Sequence, residues 1–170
     1  MRGEIDYPES LRRRVALLAG LSEDVLEDVY DDKLRLSPGA ETLVAACKKH
    51  GIKLLLVSGG FTFFTGRLQE RLGLDDTLSN VLEIEDGRLT GRVLGGIVDA
   101  GAKAAKFRQM AQRLGARPEQ TLAMGDGAND LLMMAEAGVS VAYRAKPVVR
   151  EKATHSLSYT GLDGVLHLFE

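Results

Sequence analysis

The spacing of apolar residues divides the chain into a helical front segment, residues 1–34, and a longer α/β run, residues 35–170. In the front segment Pro8 opens a helix whose sequence LRRRVALLAG stops at Gly20. Ser22 then stands as an N-cap before the first-turn acids Glu23 and Asp24 of a second helix through VLEDVYDDKL. No strand pattern follows either, so the two form a helical pair. From Ser37 the period changes. Pro38 takes a first helical position ahead of ETLVAACKKH, which Gly51 ends. IKLLLVSGG is continuously apolar, the pattern of a strand buried on both faces in a parallel sheet. After a helix FTFFTGRLQERLG, the segment NVLEIEDGRLTGRVLG alternates on both sides of Asp86-Gly87, which predicts a hairpin.

The remaining elements alternate. Lys103 to Gly115 is a helix, TLAMGD a short buried strand, and NDLLMMAEAG a helix stopped by Gly138. VSVAY is a strand, KPVVREKA a helix opened by Pro147, HSLSY a weak strand and GLDGVLHLFE a last helix. Strands alternating with helices imply right-handed crossovers, hence an α/β fold with a doubly wound, mostly parallel, Rossmann-like sheet. No internal repeat or low-complexity segment interrupts the pattern.

Composition adds limits. With 170 residues, 45% apolar and 27% charged, and a net charge of −2, the chain suits one domain with a small appendage. No basic stripe interleaved with aromatics is present, which argues against nucleic acid as a partner. The cluster Arg12-Arg13-Arg14 reads as a solvated helix face. No apolar run reaches membrane-spanning length, and MRGEIDYPES lacks the apolar core of a signal peptide. The single cysteine, Cys47, cannot form an internal disulfide and reads as a small buried side chain. Together these point to a cytoplasmic protein without a membrane partner. His50, His155 and His167 lack metal-ligand spacing, and Met133 and Met134 read as core filler.

Candidate chemistry sits at strand ends, where open α/β sheets bind ligands. Ser58-Gly59-Gly60 follows a buried strand and precedes a helix. It suits a phosphate loop, with backbone N–H groups and a serine hydroxyl as donors. A tight turn with Ser58 bonding its own backbone explains it equally well. In GDGAND, Gly125 to Asp130, the acids Asp126 and Asp130 would repel a pyrophosphate, which excludes a dinucleotide fingerprint. Capping accounts for one acid in the first turn but not for Asp126 at the strand end. Two carboxylates and the Asn129 amide oxygen suit a hard cation such as Mg²⁺. Lys103, near a helix N-terminus, opposes the helix dipole and calls for a partner, a phosphate or an aspartate. Lys106, one turn on, is easily mistaken for it.

The order VSGGF, helix-entry lysine, GDGAND resembles the haloacid dehalogenase-like phosphohydrolases. MRGEIDYPESLRRRVALL, LVSGGFTFF, LEIEDGRLTGRV, GDGANDLLMMAEAG and VAYRAKPVVREKA are similar, more narrowly, to the phosphoserine phosphatase family. The resemblance spans nearly the whole chain. It implies Mg²⁺-dependent hydrolysis of L-phosphoserine to serine and phosphate in serine synthesis, with another small phosphate ester as the alternative ligand. It also implies that Ser58, Gly59 and Gly60 contact the phosphoryl group and that Lys103 neutralises it and steadies the nucleophile. Asp126 would ligate Mg²⁺, with Asn129 and Asp130 ordering its surroundings. Met1, Tyr7 and Arg14 would touch substrate from a partial helical cap, residues 1–34, on the core of residues 35–170. Arg14 would pair with the amino acid's carboxylate. Tyr7 replaces the family's usual phenylalanine.

One family motif has no counterpart. D-x-D-x-T at the end of a buried strand supplies the nucleophile, the general acid/base and further Mg²⁺ ligands. Asp31-Asp32 and Asp75-Asp76 fall in helix ends or loops, and Glu83-x-Glu85 lies on the hairpin. With Met1 already inside the cap, the expectation is an N-terminal truncation. The chain would then be inactive alone and would hold Mg²⁺ weakly. In the family that strand lies between those ending at Ser58 and Asp126, so its loss would expose two strand edges. A homodimer, a strand donated in trans, or a catalytically dead phosphate-binding protein would follow.

Overall fold

A computed structural model of the chain describes residues 7–169. Helices α1 (Tyr7–Ala16) and α2 (Asp24–Asp32) come first. Leu11 and Val15, one turn apart, form the buried stripe of α1. Arg12, Arg13 and Arg14 face solvent as expected, with Arg13 paired to Glu9 at 2.8 Å. Ser22 is not the residue directly before α2; Glu23 is. The Ser22 backbone is drawn into a bridge with Arg88, and its hydroxyl still meets the Asp24 N–H at 3.4 Å. Helix α3 (Ala40–Lys49) likewise begins beyond Pro38. Gly39 adopts a left-handed φ of 76°, and the Pro38 carbonyl accepts from Leu162 N–H at 2.7 Å, which takes Pro38 out of the helix.

Strand β1 (Leu55–Phe61) leads through α4 (Thr62–Leu72) to the hairpin β2 (Asp76–Glu85) and β3 (Arg88–Leu94). Asp86 and Gly87 at its tip have φ of 50° and 72°, the left-handed pair that a two-residue hairpin turn requires. Helix α5 (Ala100–Leu114) starts earlier than the sequence suggests, because the Asp99 side chain caps it by accepting Ala102 N–H at 2.8 Å. Then follow β4 (Leu122–Gly125), α6 (Leu131–Ala135), β5 (Val139–Tyr143), α7 (Pro147–Arg150) and β6 (His155–Leu157). The expected last helix is a 3-10 run, Leu162–Leu168.

The strands form two three-stranded sheets, β1-β2-β3 and β4-β5-β6. Every pairing is parallel except the β2–β3 hairpin. The second sheet is covered on both faces, as a doubly wound fold requires. On one face Ala104, Met133, Met134 and Val149 pack on Ala123 and Ala142. On the other, Leu43, Cys47 and Val165 pack on Val141. Burial pushes the Cys47 thiol pKa up, in keeping with an inert core cysteine. Val57 of β1 joins the first cluster and Leu54, just before β1, the second. Both helical layers therefore reach from β4 to β1. Yet among the described residues β1 pairs only with β2, and β4 only with β5. Each keeps one unpaired edge, so β1 is half-buried along its length rather than covered on both faces.

The helical pair lies on the hairpin. Leu11, Val15 and Leu26 pack with Leu82 and Leu89, with Phe61, Phe63 and Phe64 around them. No helix among the described residues is long and apolar enough to cross a membrane. Asp76 ties α5 to the first sheet through Lys106 at 2.8 Å and Arg113 at 3.3 Å. Burial pushes the Asp76 pKa up, but the hydrogen bond and charge of Lys106, the Thr77 N–H and Arg113 outweigh it and hold the carboxyl below its ordinary value.

Two outcomes are expected. Leu89→Ala, which empties part of the joint between helical pair and hairpin, should lower stability to urea by about 2–5 kcal/mol. Because the folded Asp76 pKa is depressed, its stabilisation is complete above the unfolded carboxylate value and is lost as pH falls through the folded one. The stability advantage of wild type over Asp76→Asn should therefore be full at pH 7 and shrink only as pH falls below the ordinary aspartate value of about 3.9 in parallel urea titrations.

Candidate functional site

The carboxyl end of β1 is irregular at the suspected phosphate loop. Val57 pairs with Leu78 and Phe61 with Asn80, so Ser58, Gly59 and Gly60 stand opposite Ser79 alone and bulge from the ladder. Asn80, 1% exposed, lies behind the bulge. Its side-chain nitrogen donates to the carbonyls of Gly59 at 2.9 Å and Gly60 at 3.3 Å, and its oxygen accepts from Val98 N–H at 2.8 Å. The Ser58 hydroxyl oxygen accepts Gly60 N–H at 3.0 Å. The local-turn reading of Ser58 is thus realised. A hydroxyl that accepts one bond still has its proton to donate, so the phosphate reading survives it.

Tyr7 reaches this loop from α1, its hydroxyl donating to Gly59 O at 3.4 Å. A Cβ on Gly59 would overlap that hydroxyl, so a side chain there would displace Tyr7 from the loop. Arg14 remains on α1, exposed, with Nε donating to Ser10 O at 3.3 Å. Met1 lies outside the described residues.

The second strand end is organised around Asp130. This carboxylate is 6% exposed. One oxygen accepts from Lys103 Nζ at 2.7 Å, and the other from the N–H groups of Asp126 at 3.1 Å and Gly127 at 3.2 Å. Lys103, 4% exposed, thereby gains the partner its place near a helix start demands. Both charges are buried, so each depends on the other. Lys106 takes Asp76 instead, which separates the two lysines. Gly125 lets the turn close, since a Cβ there would strike the Asp130 side chain. Asp126 is left exposed at the mouth, and Asn129 lies over Gly127. Lys103 sits beside Ala104, whose cluster includes Val57 and Met133, so α5 joins the two strand ends.

A divalent cation finds a small donor set here. Asp130 is committed to Lys103 and two amides, which leaves the Asp126 carboxylate and the Asn129 amide oxygen. No group of three or more His, Cys, Asp or Glu side chains that could hold a metal occurs among the described residues. One carboxylate with water and phosphate oxygens is within the habit of Mg²⁺, so the residues fit a weak site. The larger concavity described, about 460 Å³ between α2 and α4, is lined by Glu23, Asp24, Leu26, Glu27, Phe63 and Arg67 and lies apart from these residues. Asn80 and the Asp99 cap escaped the sequence reading. The only signal for Asn80 was a polar pair, Ser79-Asn80, between the apolar residues Leu78 and Val81 of β2.

Residues 1–135 match the model of the haloacid dehalogenase-like hydrolases. The chain belongs to that family. Within it, the chain is 57% identical to a phosphoserine phosphatase of Polaromonas sp. strain JS666, over 99% of this chain and 73% of the relative. It superposes on a probable phosphoserine phosphatase from Vibrio cholerae, in unliganded form, with a TM-score of 0.92 and 46% identity, covering 98% of this chain and 51% of that one. A substrate-bound phosphoserine phosphatase complex superposes with a TM-score of 0.91 at 36% identity, covering 99% of this chain and 80% of that one.

Removing one charge of the buried pair tests its place in the hydrolase core. Lys103→Met should cost about 3–5 kcal/mol, and the double variant Lys103→Met/Asp130→Leu should recover part of that in a double-mutant cycle by chemical denaturation.

Proposed function

We propose that the chain binds the phosphate of a small phosphate ester, L-phosphoserine before others, at the joined ends of β1 and β4. The observation that carries this reading is the buried Lys103–Asp130 pair, whose helix packs through Ala104 in one cluster with Val57, the residue before the Ser58 bulge. An ammonium has three donors, and with one given to Asp130 the rest can meet phosphate oxygens. Ser58 adds its hydroxyl proton, and Gly59 and Gly60 allow close approach. Mg²⁺, when bound at Asp126 with Asn129 nearby, supplies charge neutralisation. Tyr7 closes the loop from the helical pair, residues 1–34, over the core of residues 35–170, and Arg14, two turns further along α1, is the candidate for the substrate carboxylate. Relatives named as phosphoserine phosphatases support the choice of substrate. The likeness to those relatives supports a place in serine synthesis, and a single buried cysteine is compatible with a reducing cytoplasm.

Hydrolysis through an aspartyl-phosphate needs a nucleophilic carboxylate and an acid/base, and this chain carries no D-x-D-x-T. We assign the chain the phosphate-holding part of the reaction. The nucleophile and acid/base carboxylates would come on a strand seated against the unpaired edges of β1 and β4, supplied by a segment other than residues 1–170. A second reading of residues 1–170 is a phosphate-binding unit without turnover, since the donors of Ser58 and Lys103 hold phosphate whether or not a nucleophile is present.

Phosphoserine, Mg²⁺ and the purified chain should give no turnover, and added peptide bearing an apolar strand that ends in D-x-D-x-T should restore it. Turnover by the chain alone, abolished by Asp126→Ala, would contradict the assignment. Phosphoserine binding with no turnover on mixing would select the second reading.

A further inference from the structure

At the bulge in β1, where the register with β2 breaks, the Gly59 and Gly60 carbonyls both accept from one buried side chain, Asn80. A trans peptide sets its C=O and N–H on opposite sides of one rigid plane. Holding the Gly59 carbonyl against Asn80 therefore fixes the direction of the Gly60 N–H, which lies in the same peptide. That N–H ends on the Ser58 hydroxyl oxygen at 3.0 Å. With its oxygen committed there, the Ser58 hydroxyl has its proton to turn toward a ligand. The other end of the Asn80 amide accepts from Val98, just ahead of the Asp99 cap from which α5 carries Lys103 to Asp130.

We infer that Asn80 is a positioning residue that sets the Ser58 hydroxyl and the entry to α5 in register, so that serine and lysine meet one phosphate together. This rests on the reading of that site as a phosphate site. The amide is suited to the task because it offers donors and an acceptor from one plane, and an isosteric carboxylate has no donors. At 1% exposure, water has little access to replace either bond. Tyr7 shares the Gly59 carbonyl at 3.4 Å, so the same atom also receives the helical pair.

The test compares wild type with Asn80→Asp, which keeps an acceptor for Val98 and loses the donors to the loop. Asn80→Ser takes its place if that variant does not fold. Thr65→Val is the control for general destabilisation, because it breaks the neighbouring buried Thr65–Ser79 bond of 2.7 Å without touching the loop. Amide hydrogen exchange should show the Gly60 N–H opening about tenfold faster in Asn80→Asp and unchanged in the control. Titration with inorganic phosphate and Mg²⁺, followed by amide shifts, should show affinity reduced about tenfold in Asn80→Asp alone. Wild type that binds no phosphate while Asn80→Asp still opens Gly60 would refute the phosphate reading and leave the positioning role standing. Gly60 protection within about twofold of wild type in Asn80→Asp would overturn the inference.

Discussion

A lysine and an aspartate, each withdrawn from water, hold the centre of this molecule together. Lys103 and Asp130 are both more than nine-tenths buried and 2.7 Å apart. Isolated, either charge would be costly in that position, and the pair is tolerable because each neutralises the other. Asp130 also takes the two amides that shape the turn after β4. Because Lys103 comes from α5 and Asp130 from the turn before α6, the pair sets the distance between a helix and a strand end. The packing of Ala104, Met133 and Val57 then brings β1 to the same place.

That pair also divides the work of two adjacent acids. Asp130 is spent inside the protein, and Asp126 remains at the surface. A sequence with two aspartates four residues apart invites the idea of a shared metal site. The hydrogen bonds instead make one acid a structural anchor and leave the other available. At the first strand end a similar division holds. The Ser58 oxygen serves its own loop while its proton stays available, and Asn80 behind it donates to the Gly59 and Gly60 carbonyls of the bulge.

The same economy does not extend to the strand edges. Two helical layers span β1 and β4, but no backbone ladder joins them among the described residues. A parallel sheet is stabilised from both edges of its inner strands, and here two such edges are open. This explains why β1, expected from its apolar run to be buried on both faces, is only half-covered. Its sequence records the environment of an inner strand, whereas its exposure records the neighbours it has.

Much of the architecture was legible from local pattern. The Asp86-Gly87 hairpin, the Gly-stopped helices and the alternation of strand and helix follow from backbone sterics and from which faces meet water. Such preferences are written into neighbouring residues. The placement of Ser58 and Asp126 at strand ends and of Lys103 near a helix start was legible too, because the turns from strand to helix are marked by glycine and capping residues. The capping limits at Pro38 and Ser22 were not, since distant contacts with Leu162 and Arg88 decided them. Nor was Asn80, whose partners lie about twenty residues away on either side. Sequence by itself determined which elements form and which residues could do chemistry. Only the tertiary structure decided that Lys103 rather than Lys106 meets Asp130, and that Asn80 braces the loop. Such pairings depend on how separate elements are placed in space, and neither partner's local sequence encodes that placement.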